Sequence, residues 1–216
     1  MKTSKILSVA IVLIILFTSF TEQKPRILII GDSISNGYMP FVEKYFADKA
    51  IVKHNPGNAQ HSGFGLQKIR EWIGDEKWDI IQFNWGLHDL CYRSPQSKVY
   101  GNRDKINGKI TFTPEEYGKN LEELVLRLKK TGAKLIFATT TYVPQGEAGR
   151  FTDDVKRYND LALNIMKKHN IQVNSLNNIS KKIHKKHLLA EGDVHYSARG
   201  YELLAEPVIE IITKNL

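Results

Sequence analysis

The sequence predicts an α/β fold, a three-layer sandwich in which a five-stranded parallel sheet is covered by helices on both faces. Three observations predict it. Five short, apolar, β-rich runs recur along the chain. Helical patterns separate them, and strand–helix alternation is the signature of a parallel sheet. The length, 216 residues, is near that of one such domain.

The first segment stands apart from the fold. Lys2 and Lys5 form a basic start, residues 6–17 are almost wholly apolar, and Ser19-Phe20-Thr21 offers a cleavage point. This is the pattern of a secretory signal peptide over residues 1–21. The apolar run is shorter than the about 20 residues of a membrane span, and no cysteine follows it to accept a lipid. The expectation is a secreted or periplasmic domain, residues 22–216, with no stable membrane insertion after cleavage. Cys91 is the only cysteine, so no internal disulfide forms, and nothing marks it as a nucleophile.

The remaining elements follow in order. Residues 26–30 form the first strand, and Gly31-Asp32-Ser33-Ile34-Ser35 turns the chain into a helix over 36–48. A second strand over 50–54 ends in Asn55-Pro56-Gly57-Asn58-Ala59, before a helix over 64–74. The third strand, 78–84, leads into Asn84-Trp85-Gly86-Leu87-His88-Asp89-Leu90. Residues 87–112 are irregular and contain the turn pairs Gly101-Asn102 and Asn107-Gly108. A stretch of that length is expected to be functional or a small hairpin, here a substrate-facing insertion. Thr113-Pro114-Glu115-Glu116 reads as a capping box with proline at the first helical position. Leu121, Leu124, Val125 and Leu128 continue that helix as an apolar stripe to Gly132. A strand over 133–140, a helix over 152–169, a strand over 171–173 and a helix over 177–187 follow. Asp193-Val194-His195 precedes a last helix over 197–214, capped by Ser197 and buried through Leu203, Leu204, Val208 and Ile211.

In a sheet of this kind ligands bind outside the C-terminal strand ends. Four features converge there: Gly31-Asp32-Ser33, Asn55–Ala59, Gly86–Asp89 and Asp193–His195. In that order they resemble the SGNH, or GDSL, hydrolase family, and the resemblance spans nearly the whole domain. It implies a flavodoxin-like sheet and an ester-hydrolysing serine enzyme; no cofactor is expected, and no metal, since no set of His, Asp and Glu has the spacing of a metal site. Ser33 is then the nucleophile and His195 the general base and acid. The oxyanion donors are backbone N–H at Ser33 and groups of the Gly57–Asn58 turn, between which the sequence does not choose.

Two positions depart from the family. Its third block normally carries an asparagine whose amide helps bind the oxyanion, and here that position is His88. A neutral imidazole also donates one N–H, with a pH dependence an amide lacks; the alternatives are that His88 only packs, or that Asn84 substitutes. The family pattern Asp-x-x-His would place the acid at residue 192, which is glycine. Asp193 is the expected partner of the imidazole, with Glu191 or a backbone carbonyl as rivals. Asp32 and Asp89 are expected to hold turns. His169, His184 and His187 are expected on the surface.

The net charge of +8 suits an acidic partner, while the basic run over 181–187 reads as a solvated helix face. Nucleic acid is not expected, for want of a recognised binding module. The function expected is removal of small acyl groups, acetyl above all, from a small molecule or polysaccharide. A lipase or lysophospholipase and a catalytically weak carbohydrate-binding protein are the alternatives. Trp85, Tyr92, Tyr100 and Tyr142 are candidates for stacking on sugar rings at the mouth.

Overall fold

The computed structural model describes residues 23–96 and 102–216. The signal segment and Tyr100 lie outside the described residues.

The core is a five-stranded sheet of β1 (Arg26–Ile30), β2 (Ile51–His54), β3 (Ile80–Phe83), β6 (Lys134–Ala138) and β7 (Gln172–Asn174). Every pairing in it is parallel, and the order is β2-β1-β3-β6-β7. The central strands are buried on both faces, which is why they read as unbroken apolar runs. The chain leaves β1 in opposite directions toward β2 and β3. The crevice at that reversal, beyond the strands' C-terminal ends, is the favoured ligand site.

Helices α1 (Ser33–Phe46), α5 (Leu176–His187) and α6 (Ala198–Thr213) pack together on one side of the sheet. Helices α2 (Ser62–Ile73), α3 (Pro114–Lys129) and α4 (Thr152–His169) pack together on the other. The capping box at α3 forms in full: Thr113 Oγ1 accepts from the Glu116 amide and the Glu116 carboxylate accepts from the Thr113 amide. Such a cap contributes about 1 kcal/mol. The α3 stripe of Leu121, Leu124, Val125 and Leu128 is fully buried. In α6 the buried face is turned slightly from the expected one, onto Leu204, Ala205, Val208 and Ile212.

The insertion after β3 does form a hairpin, of β4 (Tyr92–Arg93) and β5 (Lys109–Ile110). Backbone bonds fasten it to the loop that follows β6. The Tyr92 amide donates to Gly149 O (2.7 Å) and the Lys105 amide to Ala148 O (2.9 Å). Two loops from different strands thus form one wall above the sheet edge.

Candidate active site

Ser33 is the first residue of α1, directly beyond β1. Asp32 caps the helix, its Oδ1 accepting from the Ile34 amide at 2.9 Å. Position one of a helix has no internal partner for its N–H, so the Ser33 amide is available to an anion. The turn is clamped from the β2 side. Asn55 Oδ1 accepts from the Gly31 amide (2.8 Å), and Gly31 O accepts from the Ala59 amide (2.9 Å). Ser35 Oγ also meets His54 Nε2 at 2.7 Å.

The imidazole arrives from the turn before α6. Ser33 Oγ lies 2.9 Å from His195 Nε2. On the far side of the ring, His195 Nδ1 lies 2.6 Å from Asp193 Oδ1, which also accepts from the His195 amide at 3.0 Å. Burial raises the Asp193 pKa, but these two bonds, with the attraction of His195 and of Arg103, outweigh it and the net shift is downward. Glu191 is exposed.

The turn explains the shorter spacing. The Asp193 amide donates to Ala190 O (3.1 Å), closing a four-residue turn with Gly192 third. Gly192 has φ +71° and Glu191 does not have positive φ, the pattern of a type II turn. His184 supports it from below: it is buried between Tyr142 and Tyr196, with Nε2 2.6 Å from Asp193 O. The expectation of a surface His184 is therefore corrected. Its ring fills the space that the turn needs filled.

Ser33, His195, Asn58 and His88 share a cleft of about 170 Å³. Leu87, Val194 and three arginines, Arg93, Arg103 and Arg150, complete its wall. Of the two block-two residues, Asn58 faces this cleft; Gly57 is exposed, and its carbonyl accepts from Asn36 Nδ2 at 2.9 Å. Gly57 does not line the cleft. Asn84 is also engaged elsewhere, its Nδ2 donating to Ala138 O at 2.7 Å.

His88 is held as a neutral donor. Arg93 Nη2 lies 3.3 Å from His88 Nδ1. A guanidinium only donates, so Nδ1 must accept and the ring proton sits on Nε2. Burial first, then Arg150 and Arg93, push the His88 pKa down to about 3. The pH dependence expected of His88 is therefore removed from the working range. Asp89 next to it ties this loop to α2, its Oδ1 accepting from the Ser62 amide (2.9 Å) and hydroxyl (2.5 Å). Gly86 before it has φ +154°, and a Cβ there would overlap Thr140 Oγ1, so only glycine fits.

The aromatic expectation is corrected. Trp85 is 1 % exposed in the core, Tyr92 stacks edge-on against Phe151, and Tyr142 packs on His184. Among the described residues, no phenylalanine, tyrosine or tryptophan ring lines the cleft. The groups that sequence reasoning missed are Glu147 and Arg150, in the glycine-rich loop after β6. Arg150 Nε donates to Leu87 O at 2.6 Å, fixing the loop that carries His88.

Residues 29–203 match the GDSL-like lipase/acylhydrolase family. Solved structures with the same fold include a lipase/acylhydrolase from Enterococcus faecalis, with TM-score 0.70 and 20 % identity, covering 89 % of this chain and 97 % of that one. The acetylxylan esterase Axe2 from Geobacillus stearothermophilus gives TM-score 0.69 at 20 % identity, covering 88 % and 94 %. A GDSL-like lipase from Bacteroides thetaiotaomicron gives 0.63 at 15 %, covering 88 % and 89 %. No match is found among curated proteins.

Proposed function

This chain belongs to the GDSL-like lipase/acylhydrolase family, and from that premise we propose that it is an exported serine esterase removing short acyl groups, foremost acetyl, from a carbohydrate. The observation that carries the proposal is the continuous chain Ser33 Oγ–His195–Asp193, at 2.9 and 2.6 Å, opening on one cleft.

In this reading Ser33 Oγ attacks the acyl carbon while His195 Nε2 takes its proton. Asp193 holds the ring with its Nδ1 proton inward and stabilises the imidazolium. The developing oxyanion is met by the Ser33 amide, Asn58 and the Nε2–H of His88. Collapse of the tetrahedral intermediate expels the sugar hydroxyl, which takes the proton from His195. Water, deprotonated by the same ring, then attacks the acyl-enzyme, releasing the carboxylic acid and restoring Ser33.

The cleft supports a short acyl group. Its about 170 Å³ falls below the about 300–1,000 Å³ of sites that bury a drug-sized ligand. Leu87 and Val194 are its apolar wall, too little for a long acyl chain. Export to a carbohydrate substrate rests on the signal-like start and on the acetylxylan esterases among the structural neighbours.

Purified protein lacking residues 1–21 is expected to hydrolyse para-nitrophenyl acetate faster than its long-chain homologues. Ser33→Ala is expected to lower that rate by at least about 10³-fold. Asp193→Ala is expected to lose far more than Glu191→Ala. Full activity in Ser33→Ala would refute the mechanism, and a preference for long chains would favour a lipase.

A further inference from the structure

Resting on that esterase reading, we infer that Arg93, Arg103 and Arg150 form an anion-recognition wall. The acyl ester this protein takes then carries a fixed negative charge, a carboxylate or sulfate on the glycan, close to the ester bond.

Three guanidinium groups line the same small cleft as Ser33 and His195. Among the described residues, no carboxylate lines it. The charge that compensates the arginines lies behind the wall. Glu147 is 0 % exposed, and a single oxygen, Oε1, accepts from Arg103 Nη1 (2.7 Å) and from Arg150 Nη1 (2.9 Å). Its other oxygen accepts from the Gly149 amide at 2.7 Å. One buried carboxylate is therefore shared by two guanidiniums, and Asp193 is committed to His195. Asp193 also attracts Arg103, and the buried Asp32 attracts Arg150; none of these carboxylates lines the cleft, so the face it presents is guanidinium.

That face is built rather than incidental. Arg93 and Arg103 face each other across an antiparallel bridge within the insertion, and Arg150 comes from the loop after β6. Glu147 holds the last two in place before any ligand arrives. A cation wall held at fixed geometry binds an anion with little reorganisation. Guanidinium suits this task because its planar fork engages carboxylate or sulfate through paired N–H groups and stays charged at every working pH. Arg103 is well placed for such contact, its side chain being 38 % exposed while that of Arg150 is 6 % exposed. A neutral acetylated glycan would strip water from these guanidiniums and bring no charge in return, which is a cost. An acidic one would relieve it.

The test compares kcat/KM, per acetyl group, on acetylated polygalacturonate, an acetylated sulfated galactan and neutral acetylated xylan, at low salt. Wild type is expected to favour at least one acidic polymer over xylan by about tenfold or more. The better of the two identifies the anion as carboxylate or sulfate. Arg103→Gln is expected to erase most of that preference, measured as the ratio between substrates, and Arg103→Lys to retain part of it. Glu147 keeps Arg150 and Gly149 in either variant, and matching thermal melts confirm that they fold. Equal or better turnover of xylan by wild type would overturn the inference. So would an equal loss on all three polymers in Arg103→Gln, which would mean that the arginine serves the reaction and not the choice of substrate. Para-nitrophenyl acetate separates the two failures. If wild type hydrolyses it without acidic preference, only the anion inference falls; if wild type hydrolyses no ester at all, the esterase reading falls with it.

Discussion

At the scale of single residues, His88 carries the sharpest consequence. Its Nδ1 accepts from Arg93 and its pKa is pushed down to about 3 by burial and two guanidiniums, so it stays neutral above about pH 4. A neutral donor of one N–H is what a carboxamide also supplies. His88→Asn is therefore expected to retain kcat within severalfold, while His88→Ala is expected to lower it by about tenfold or more with KM little changed. The pH–rate profile of His88→Asn between about pH 5 and pH 9 is expected to superimpose on that of wild type. Movement of its acid limb would show that His88 titrates during turnover. The side chains of this site were unequally legible in the sequence. The hydrogen-bonded chain of Ser33, His195 and Asp193, to which the proposal gives the roles of nucleophile, base and acid, was legible because such groups are few in kind and sit at element ends. Glu147 and Arg150 could not, because loop charges have no periodicity and their meeting with Arg103 depends on two loops folding together. Trp85 misled for the converse reason: it stands beside the site in sequence, yet its side chain turns into the core.

At the scale of elements, the loop after β3 is fastened to α2 by one carboxylate, and that fastening has a pH signature. Asp89 is fully buried; desolvation pushes its pKa up to about 7 despite the bonds from Ser62. A carboxyl whose folded pKa lies above its unfolded value binds its proton more tightly in the native state. The native protein then loses stability as pH rises from about 4 to about 7, and the loss is constant above that window. A rise of that size corresponds to at most about 4 kcal/mol. Asp89→Asn removes the titration and keeps an oxygen to accept from Ser62. Urea unfolding at about pH 5 and about pH 8 is expected to show a smaller decline in the variant than in wild type. An equal decline would assign it to other groups. The elements themselves were largely legible, because parallel strands buried on both faces leave continuous apolar runs and the helices between them carry caps. The boundaries of β1 and α4 coincide with the expected ones. Elsewhere strands prove shorter than their apolar runs, as with β3, since Trp78 is buried for packing and not for pairing.

At the scale of the whole molecule, the sheet separates two edges with different work. The larger cavity, about 490 Å³, lies between the C-terminal ends of α2 and α3, which lead into the N-terminal ends of β3 and β6. It is lined by Ile69, Ile73, Arg127 and their neighbours and contains no histidine or serine. The smaller cleft, about 170 Å³, sits at the C-terminal edge, beyond the reversal point between β1 and β3. Size therefore points to one edge and chemistry to the other. Topology sides with chemistry, because loops that leave C-terminal strand ends are the ones free to carry reacting groups. Arg127 tests this division. Its Nη1 donates to Leu66 O at 2.9 Å and joins α3 to α2 beside the larger cavity. Arg127→Ala leaves that carbonyl without its charged partner in a half-buried position, a loss of about 1–2 kcal/mol. The variant is expected to melt several degrees lower while its kcat/KM on para-nitrophenyl acetate stays within about twofold of wild type. A large fall in kcat/KM at temperatures where the variant remains folded would tie the larger cavity to the reaction. The expected outcome instead assigns stability to one edge and catalysis to the other, and this single substitution, far from the smaller cleft, tells the two cases apart.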